Sequence, residues 1–270
     1  MVDIELVRAL EQRCFNAWPT LRTLHVDGWV LRLADGHTRR ANSASALYPS
    51  SLTAESLSAI VREQFQKAGL QPTIRITPLA GEKIAAGLHK LGWREDDASL
   101  GLFAPEFRAQ MPDEALVEAS ASPDWLGGAM SAYGYGEAGV SALRRTLAHL
   151  ILPAGFITLH QDGVPVAWAL AVYERGMVGI YDLVISSQFR QRGLGRKLSS
   201  ACLAWGAAQG ASSAYLQVRV GNAAARGLYG SLGFETAYDY THYVWDWRVA
   251  TTALPTMSAQ ASAKAHEAAA

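Results

Sequence analysis

Tyr181-Asp-Leu-Val-Ile-Ser-Ser-Gln-Phe-Arg-Gln-Arg-Gly-Leu-Gly-Arg-Lys-Leu198 is an apolar run that enters a basic, glycine-punctuated loop and then a helical pattern. The apolar part predicts a strand over Val178 to Ile185, and the helix is predicted from Gly193. Gly193 and Gly195 admit backbone conformations and close approaches that a side chain would block, and amides at a helix start point outward as donors to an anion. Arg190, Arg192 and Arg196 add charge around the same point. The stretch therefore reads as a cradle for a diphosphate. Two commoner phosphate loops do not fit it. A dinucleotide fingerprint wants a third glycine where Leu198 stands and an acid at the end of the next strand, which offers Arg219 instead. A P-loop wants four residues between its glycines, then Gly-Lys-Ser/Thr, and one residue separates Gly193 from Gly195.

Downstream, Tyr215-Leu-Gln-Val-Arg-Val-Gly-Asn-Ala-Ala-Ala-Arg-Gly-Leu-Tyr-Gly-Ser-Leu-Gly-Phe234 predicts a strand over Ala214 to Val220, a helix over Ala223 to Leu232 capped by Asn222, and a stop at Gly233 before another strand. Strand, helix, strand across these two stretches implies a parallel pair joined by a crossover.

Taken together, Arg190-x-x-Gly193-x-Gly195 and Asn222-x-x-Ala-x-x-Leu-Tyr229-x-x-x-Gly-Phe234 resemble the GNAT superfamily of acetyl-CoA-dependent N-acyltransferases, over about Leu150 to Trp247. The resemblance implies an α/β (α+β) fold: a mixed, mostly antiparallel sheet with a central parallel strand pair and flanking helices. It implies acetyl-CoA as cosubstrate, with Leu183, Val184 and Ile185 at the strand end that pairs with the pantetheine amides and Gln191, Arg192, Gly193, Leu194, Gly195 and Arg196 as the pyrophosphate loop that Arg190 opens. Asn222 matches a position that both caps a helix and touches the cofactor, and a plain cap reads equally well. Tyr229 is the candidate general acid toward the departing thiolate; packing in the core is its other reading. Its phenol, with an ordinary pKa near 10, would donate uphill to a thiol near 8.5, so positioning must compensate. Asp182 and Glu174 are the candidate bases, a dedicated base being dispensable if the amine arrives neutral, and the backbone amide of Val184 or Ile185 is the expected oxyanion donor.

The whole sequence has 270 residues, which fits two domains. It carries 24 Lys plus Arg against 24 Asp plus Glu, so the basicity of the loop is local and no footprint for nucleic acid appears. No apolar run reaches a spanning helix, and the first residues lack the pattern of a signal peptide; both point to a cytoplasmic protein with no membrane role. Cys14 and Cys202 read as buried core thiols. His25, His37, His89, His149, His160, His242 and His266 show no metal-ligand spacing, so no metal is expected. His242, among the alternating aromatics Tyr238, Tyr240, Tyr243, Trp245 and Trp247, reads as sheet packing or as the wall of an acceptor pocket. Aromatic strand edges near Tyr243 to Trp247 would suit a homodimer.

Upstream, Asp3 is predicted to cap a first helix, Asp27-Gly28 to turn a hairpin, Thr53 to cap a second helix, and Thr73 to Thr77 to form a strand. Leu88-His-Lys-Leu-Gly-Trp93 echoes Tyr229-Gly-Ser-Leu-Gly-Phe234, which suggests an internal repeat whose first copy has Leu88 in place of Tyr229 and no Arg-x-x-Gly-x-Gly. The expected organisation is a degenerate GNAT-like lobe at 1–104, a linker with Pro105 and Pro112, a catalytic lobe at 113–250 and a disordered tail at 251–270. Arg32, Arg39, Arg40 and Asn42 lie close enough in sequence to form a site or a solvated basic turn. The reading is an N-acetyltransferase for a small-molecule or peptide amine, against the alternative of a non-catalytic acetyl-CoA or CoA sensor.

Overall fold

The computed structural model describes residues 2–36 and 38–246. They form two compact units. One holds the chain up to Gly101, the short stretch Arg219–Gly221 and the chain from Thr236; the other holds Leu102–Val218 and Asn222–Glu235. The closing strand is therefore counted with the first unit, where the sequence boundaries had left it with the catalytic lobe. The expected tail at 251–270, His37, Trp247 and His266 lie outside the described residues.

The first unit opens with helix α1 (Ile4–Ala17), whose first amides, of Glu5 and Leu6, donate to the Asp3 carboxylate. Strands β1 (Arg22–Val26) and β2 (Trp29–Leu33) pair as a hairpin. Its turn residues Asp27 and Gly28 both take positive φ, 42° and 82°, as the primed two-residue turn requires. Strand β3 (Ala44–Ala46) pairs antiparallel with β2, helix α2 (Ala54–Lys67) crosses over, and β4 (Thr73–Ile76) returns parallel to β3. Helix α3 (Glu82–Lys90) and strand β5 (Arg94–Ala104) follow.

In the second unit come β6 (Ala115–Glu118), helices α4 (Pro123–Tyr133) and α5 (Glu137–Leu147), then the antiparallel strands β7 (Ala154–Gln161), β8 (Val164–Glu174) and β9 (Met177–Ile185). Helix α6 (Leu194–Ala208) crosses to β10 (Ser213–Arg219), which lies parallel to β9, and helix α7 (Ala223–Gly230) follows. The strand order here is β6-β7-β8-β9-β10. Strand β11 (Glu235–Val244) pairs antiparallel with β4 and completes the first unit in the order β1-β2-β3-β4-β11-β5. β11 has a neighbour on both sides and Tyr243 is buried, so among the described residues β11 offers no free strand edge.

The element order β1-β2-β3-α2-β4-α3-β5 is the order β7-β8-β9-α6-β10-α7-β11 over again. The pairing senses agree as well: two antiparallel steps, then a parallel step closed by a helix. In the first unit the sheet has two unlike faces, set by strand alternation. Leu31, Ala44, Ala46, Ile74 and Tyr243 pack on Leu57, Val61 and Phe65 of α2 and Leu88 of α3. The opposite face carries Arg32, Ser45, Arg75 and His242, all buried. Among the described residues no helix is long and apolar enough to cross a membrane. Cys14 and Cys202 are both buried.

Candidate active site

Strands β9 and β10 are paired from Met177 opposite Ser213 to Ile180 opposite Leu216, and that ladder ends there although both strands continue. The reason lies on the other edge of β9. Trp168 opposes Val184 and Leu170 opposes Tyr181, so Asp182 and Leu183 together face the single residue Ala169 of β8. Asp182 takes φ 46° to make this bulge. A bulge bends its strand and sharpens the local twist, which turns Leu183, Val184 and Ile185 off the line of β10. Two strands that part in this way offer backbone groups to an extended, amide-bearing chain laid between them.

Beyond Ile185 a single 3₁₀ turn, Ser187–Phe189, leads to Arg190, and Gln191 and Gly193 then take left-handed φ of 59° and 77° before α6 begins. No side chain caps that helix. The amides of Arg196 and Lys197 turn back to the Gly193 carbonyl, which leaves the outward-pointing amides of the first turn, Leu194 and Gly195, for an external acceptor. A Cβ placed on Gly193 would meet no atom within 4 Å, so the space in front of the helix is open. A Cβ on Gly195 would lie 3.1 Å from Leu228 Cδ2 and 3.6 Å from Ile185 Cδ1; its bareness serves the close approach of α6 to α7. Gln191, Arg192 and Gly193 are exposed, while Leu194 is buried and anchors the helix start. Of the arginines, Arg190 Nε donates to the Ile185 carbonyl at 3.4 Å and Arg192 lies over the Phe189 ring at 5.3 Å. Arg196 Nη2 donates to Ser231 Oγ at 2.6 Å, which ties the first turn of α6 to the end of α7.

Tyr229 on α7 is 7% exposed, with its ring edge-on to Phe234 at 5.8 Å. Burial, and then the neighbouring Cys202, push its phenol well above the ordinary tyrosine value, so it stays protonated. Among the described residues its hydroxyl takes no hydrogen-bond partner. Asn222 Oδ1 accepts from the Ala225 amide at 3.0 Å and so does the work of a cap. Asp182, at the bulge, is half-buried. Glu174 is not a base for this site: it pairs with Arg175 at 2.9 Å and opposes Met177 at the far end of β9, about 26 Å of strand from Ile185 at the usual rise per residue.

The corresponding segment of the first unit, 47–53 between β3 and α2, is closed by the chain itself. Thr53 Oγ1 accepts from the Ser56 amide, and the Asp27 carboxylate accepts from the Ser51 amide at 2.7 Å and from the Ser50 and Ser51 hydroxyls. The helix start is capped from within, and a carboxylate stands where an anion would have to approach. Thr53 is the cap the sequence leads one to expect; the engagement of Ser50 and Ser51 by Asp27 is not readable there, because it joins the hairpin turn to a loop 23 and 24 residues away.

Arg32, Arg39, Arg40 and Asn42, open in the sequence between a site and a solvated basic turn, are likewise engaged by the chain itself. Arg32 is buried, its guanidinium donating to the carbonyls of Phe15, Trp18 and Arg40, and burial followed by Arg75 lowers its pKa to about 10. Asn42 Oδ1 accepts from the amides of Ala34 and Gly36, Arg39 pairs with Asp96 at 2.7 Å, and Arg40 lies over Trp18. Among the described residues no group of three His, Cys, Asp or Glu could hold a metal ion.

A family model described as "Probable histone acetyltransferase Rv0428c C-terminal" matches residues 5–243. The chain belongs to this acetyltransferase family. Among curated proteins, this acetyltransferase is 22% identical over 244 residues to the "Uncharacterized N-acetyltransferase YobR" of Bacillus subtilis, covering 88% of this chain and 97% of that one. Among solved structures it is similar to a GCN5-related N-acetyltransferase from Kribbella flavida, with TM-score 0.65 and 19% identity over 89% of this chain and 94% of that one. It is also similar to a tandem GNAT protein from the clavulanic acid biosynthesis pathway, with TM-score 0.59 and 16% identity over 87% of each chain. The fold is thus that of the GNAT superfamily, as the paired motifs implied.

Proposed function

We propose that this acetyltransferase moves the acetyl group of acetyl-CoA to a primary amine of a small molecule or peptide, that the second unit does the chemistry, and that the first is a degenerate copy. The observation that carries the reading is the uncapped start of α6, with open space in front of Gly193, directly after the point where β9 leaves β10.

Acetyl-CoA would supply the activated thioester. The amides of Leu194 and Gly195, with the positive end of the α6 dipole, would hold its diphosphate, aided by Arg190 and Arg192 at the rim. Leu183, Val184 and Ile185 would offer backbone groups to the pantetheine amides, and the amide of Val184 or Ile185 would face the negative charge that develops on the carbonyl oxygen, at no cost in reorganisation. Tyr229, protonated throughout the working pH range, would give a hydrogen bond or its proton to the departing sulfur. Asp182, held half-buried at the bulge, is the carboxylate available to draw a proton from the amine through water. The first unit keeps the element order but presents Thr53 and Asp27 where the second presents free amides, and Leu88 where the second presents Tyr229.

The test is release of free CoA thiol from acetyl-CoA in the presence of a panel of primary amines, with mass spectrometry of the products. Amine-dependent release with acetylated product is expected. Saturable cofactor binding with no release across the panel would make the protein a CoA-binding module and defeat the proposal.

A further inference from the structure

Away from the acetyl-transfer site, the polar face of the first unit's sheet gathers donors in excess of acceptors. Ser45 on β3 stands opposite Arg75 on β4, and Arg75 stands opposite His242 on β11. Directly opposed residues share a face, so three adjacent strands bring these side chains into one row, at 0%, 4% and 4% exposure. Ser45 Oγ, Arg75 Nη2 and both ring nitrogens of His242 are buried without a hydrogen-bond partner among the described residues. An unpartnered buried polar atom is costly, and four in one row are not an accident of one rotamer. The other half of Arg75 is spoken for: Nη1 donates to Glu11, which also accepts from the Tyr238 hydroxyl, and the guanidinium lies over the Tyr240 ring at 3.8 Å.

Charge points the same way. Arg32 and Arg75 are both buried in this unit, Arg75 beside Glu11, and after burial itself Arg75, Arg39, Arg40 and Arg219 all act to disfavour protonation of His242. Arg39 and Arg219 pair with Asp96 and Asp97, whereas the hydrogen bonds of buried Arg32 go to the carbonyls of Arg40, Phe15 and Trp18, which carry no countercharge. A water would satisfy donors and leave that charge as it stands, whereas an anion would answer both. Neighbouring strands lie about 4.8 Å apart, so Ser45 and His242 flank Arg75 at about 10 Å from one another, a span that one small monatomic anion bridges through a hydroxyl on one side and an imidazole on the other.

We propose that Ser45, Arg75 and His242 hold a single halide-sized anion, chloride in physiological solution, inside the first unit. The ion accepts from the Ser45 hydroxyl, from Arg75 Nη2 and from one ring N–H of His242.

The experiment follows the imidazole nitrogens of the ¹⁵N-histidine-labelled full chain by NMR while sodium chloride replaces sodium gluconate at constant ionic strength. A saturable shift confined to one histidine, absent from His242→Phe and moved to higher chloride by about tenfold or more in Ser45→Ala, is expected, since a hydrogen bond to a charged group is worth that much. Bromide soaked into wild-type crystals should give an anomalous peak against the same three side chains, which stands independent of how Ser45→Ala folds. A linear or absent shift with no anomalous peak would mean water alone and would overturn the proposal. A response to acetate but not to chloride or bromide would overturn it too, in favour of a carboxylate.

Discussion

Tyr229 lies buried with its ring against Phe234, and this burial fixes its protonation more firmly than any partner does. Because the hydroxyl has no partner among the described residues, Tyr229→Phe should leave the melting temperature and acetyl-CoA affinity unchanged while kcat falls about a hundredfold, as loss of a positioned acid does. Steady-state kinetics with a thermal melt check both halves; full turnover in the variant would return Tyr229 to core packing. The phenol is raised above its ordinary value of about 10, so kcat should show no alkaline loss attributable to Tyr229 below about pH 10. His242 behaves in the opposite sense. Burial, then Arg75, Arg39, Arg40 and Arg219, hold the folded ring neutral far below 6.5, whereas in the unfolded chain it titrates near 6.5. The unfolded state then takes up a proton that the folded state refuses, so stability is full above about 6.5 and is lost as the pH falls below it. Melts from about pH 7.5 to about pH 5 should show this slope, and His242→Phe should flatten it.

At the scale of elements, Asn222 separates two roles that one sequence pattern allowed. Its side chain caps α7 through the Ala225 amide, so Asn222→Ala should cost about 1 kcal/mol by denaturant unfolding and leave acetyl-CoA affinity within twofold; a tenfold weaker affinity would restore direct contact. The strand, loop and helix start of the proposed cradle were legible because they are local: an apolar strand, a glycine in a left-handed position and a helix start are all written within eighteen residues, 181–198. The hairpin turn at Asp27-Gly28 and the caps Asp3, Thr53 and Asn222 were legible for the same reason. The bulge at Asp182 was not, because it arises from a register shift against β8 that no periodicity encodes. Glu174 looked near the site in sequence and proved to be a strand's length away, and the arginines at 32, 39 and 40 looked like a binding cluster because the carbonyls and carboxylates that engage them come from distant segments.

For the whole molecule, the repeated element order accounts for two units, and the difference between them lies at the helix start after the third strand: no side chain caps α6, whereas the chain's own Thr53 and Asp27 close the segment before α2. The buried Arg75–Glu11 pair, shared with Tyr238, joins α1, β4 and β11, the strand that comes from the end of the chain. Breaking it with Arg75→Met strands a buried carboxylate and should destabilise the protein by about 3–5 kcal/mol in chemical unfolding; a change under about 1 kcal/mol would show that β11 is held without it. The central claim is that one unit of two binds acetyl-CoA, through the cradle before α6. Calorimetric titration of acetyl-CoA into the wild-type chain and into Gly193→Asp, which puts bulk and negative charge into that open space, tests it most directly. One site per chain is expected in the wild type and none in the variant; two sites, no binding, or binding indifferent to the substitution would contradict it.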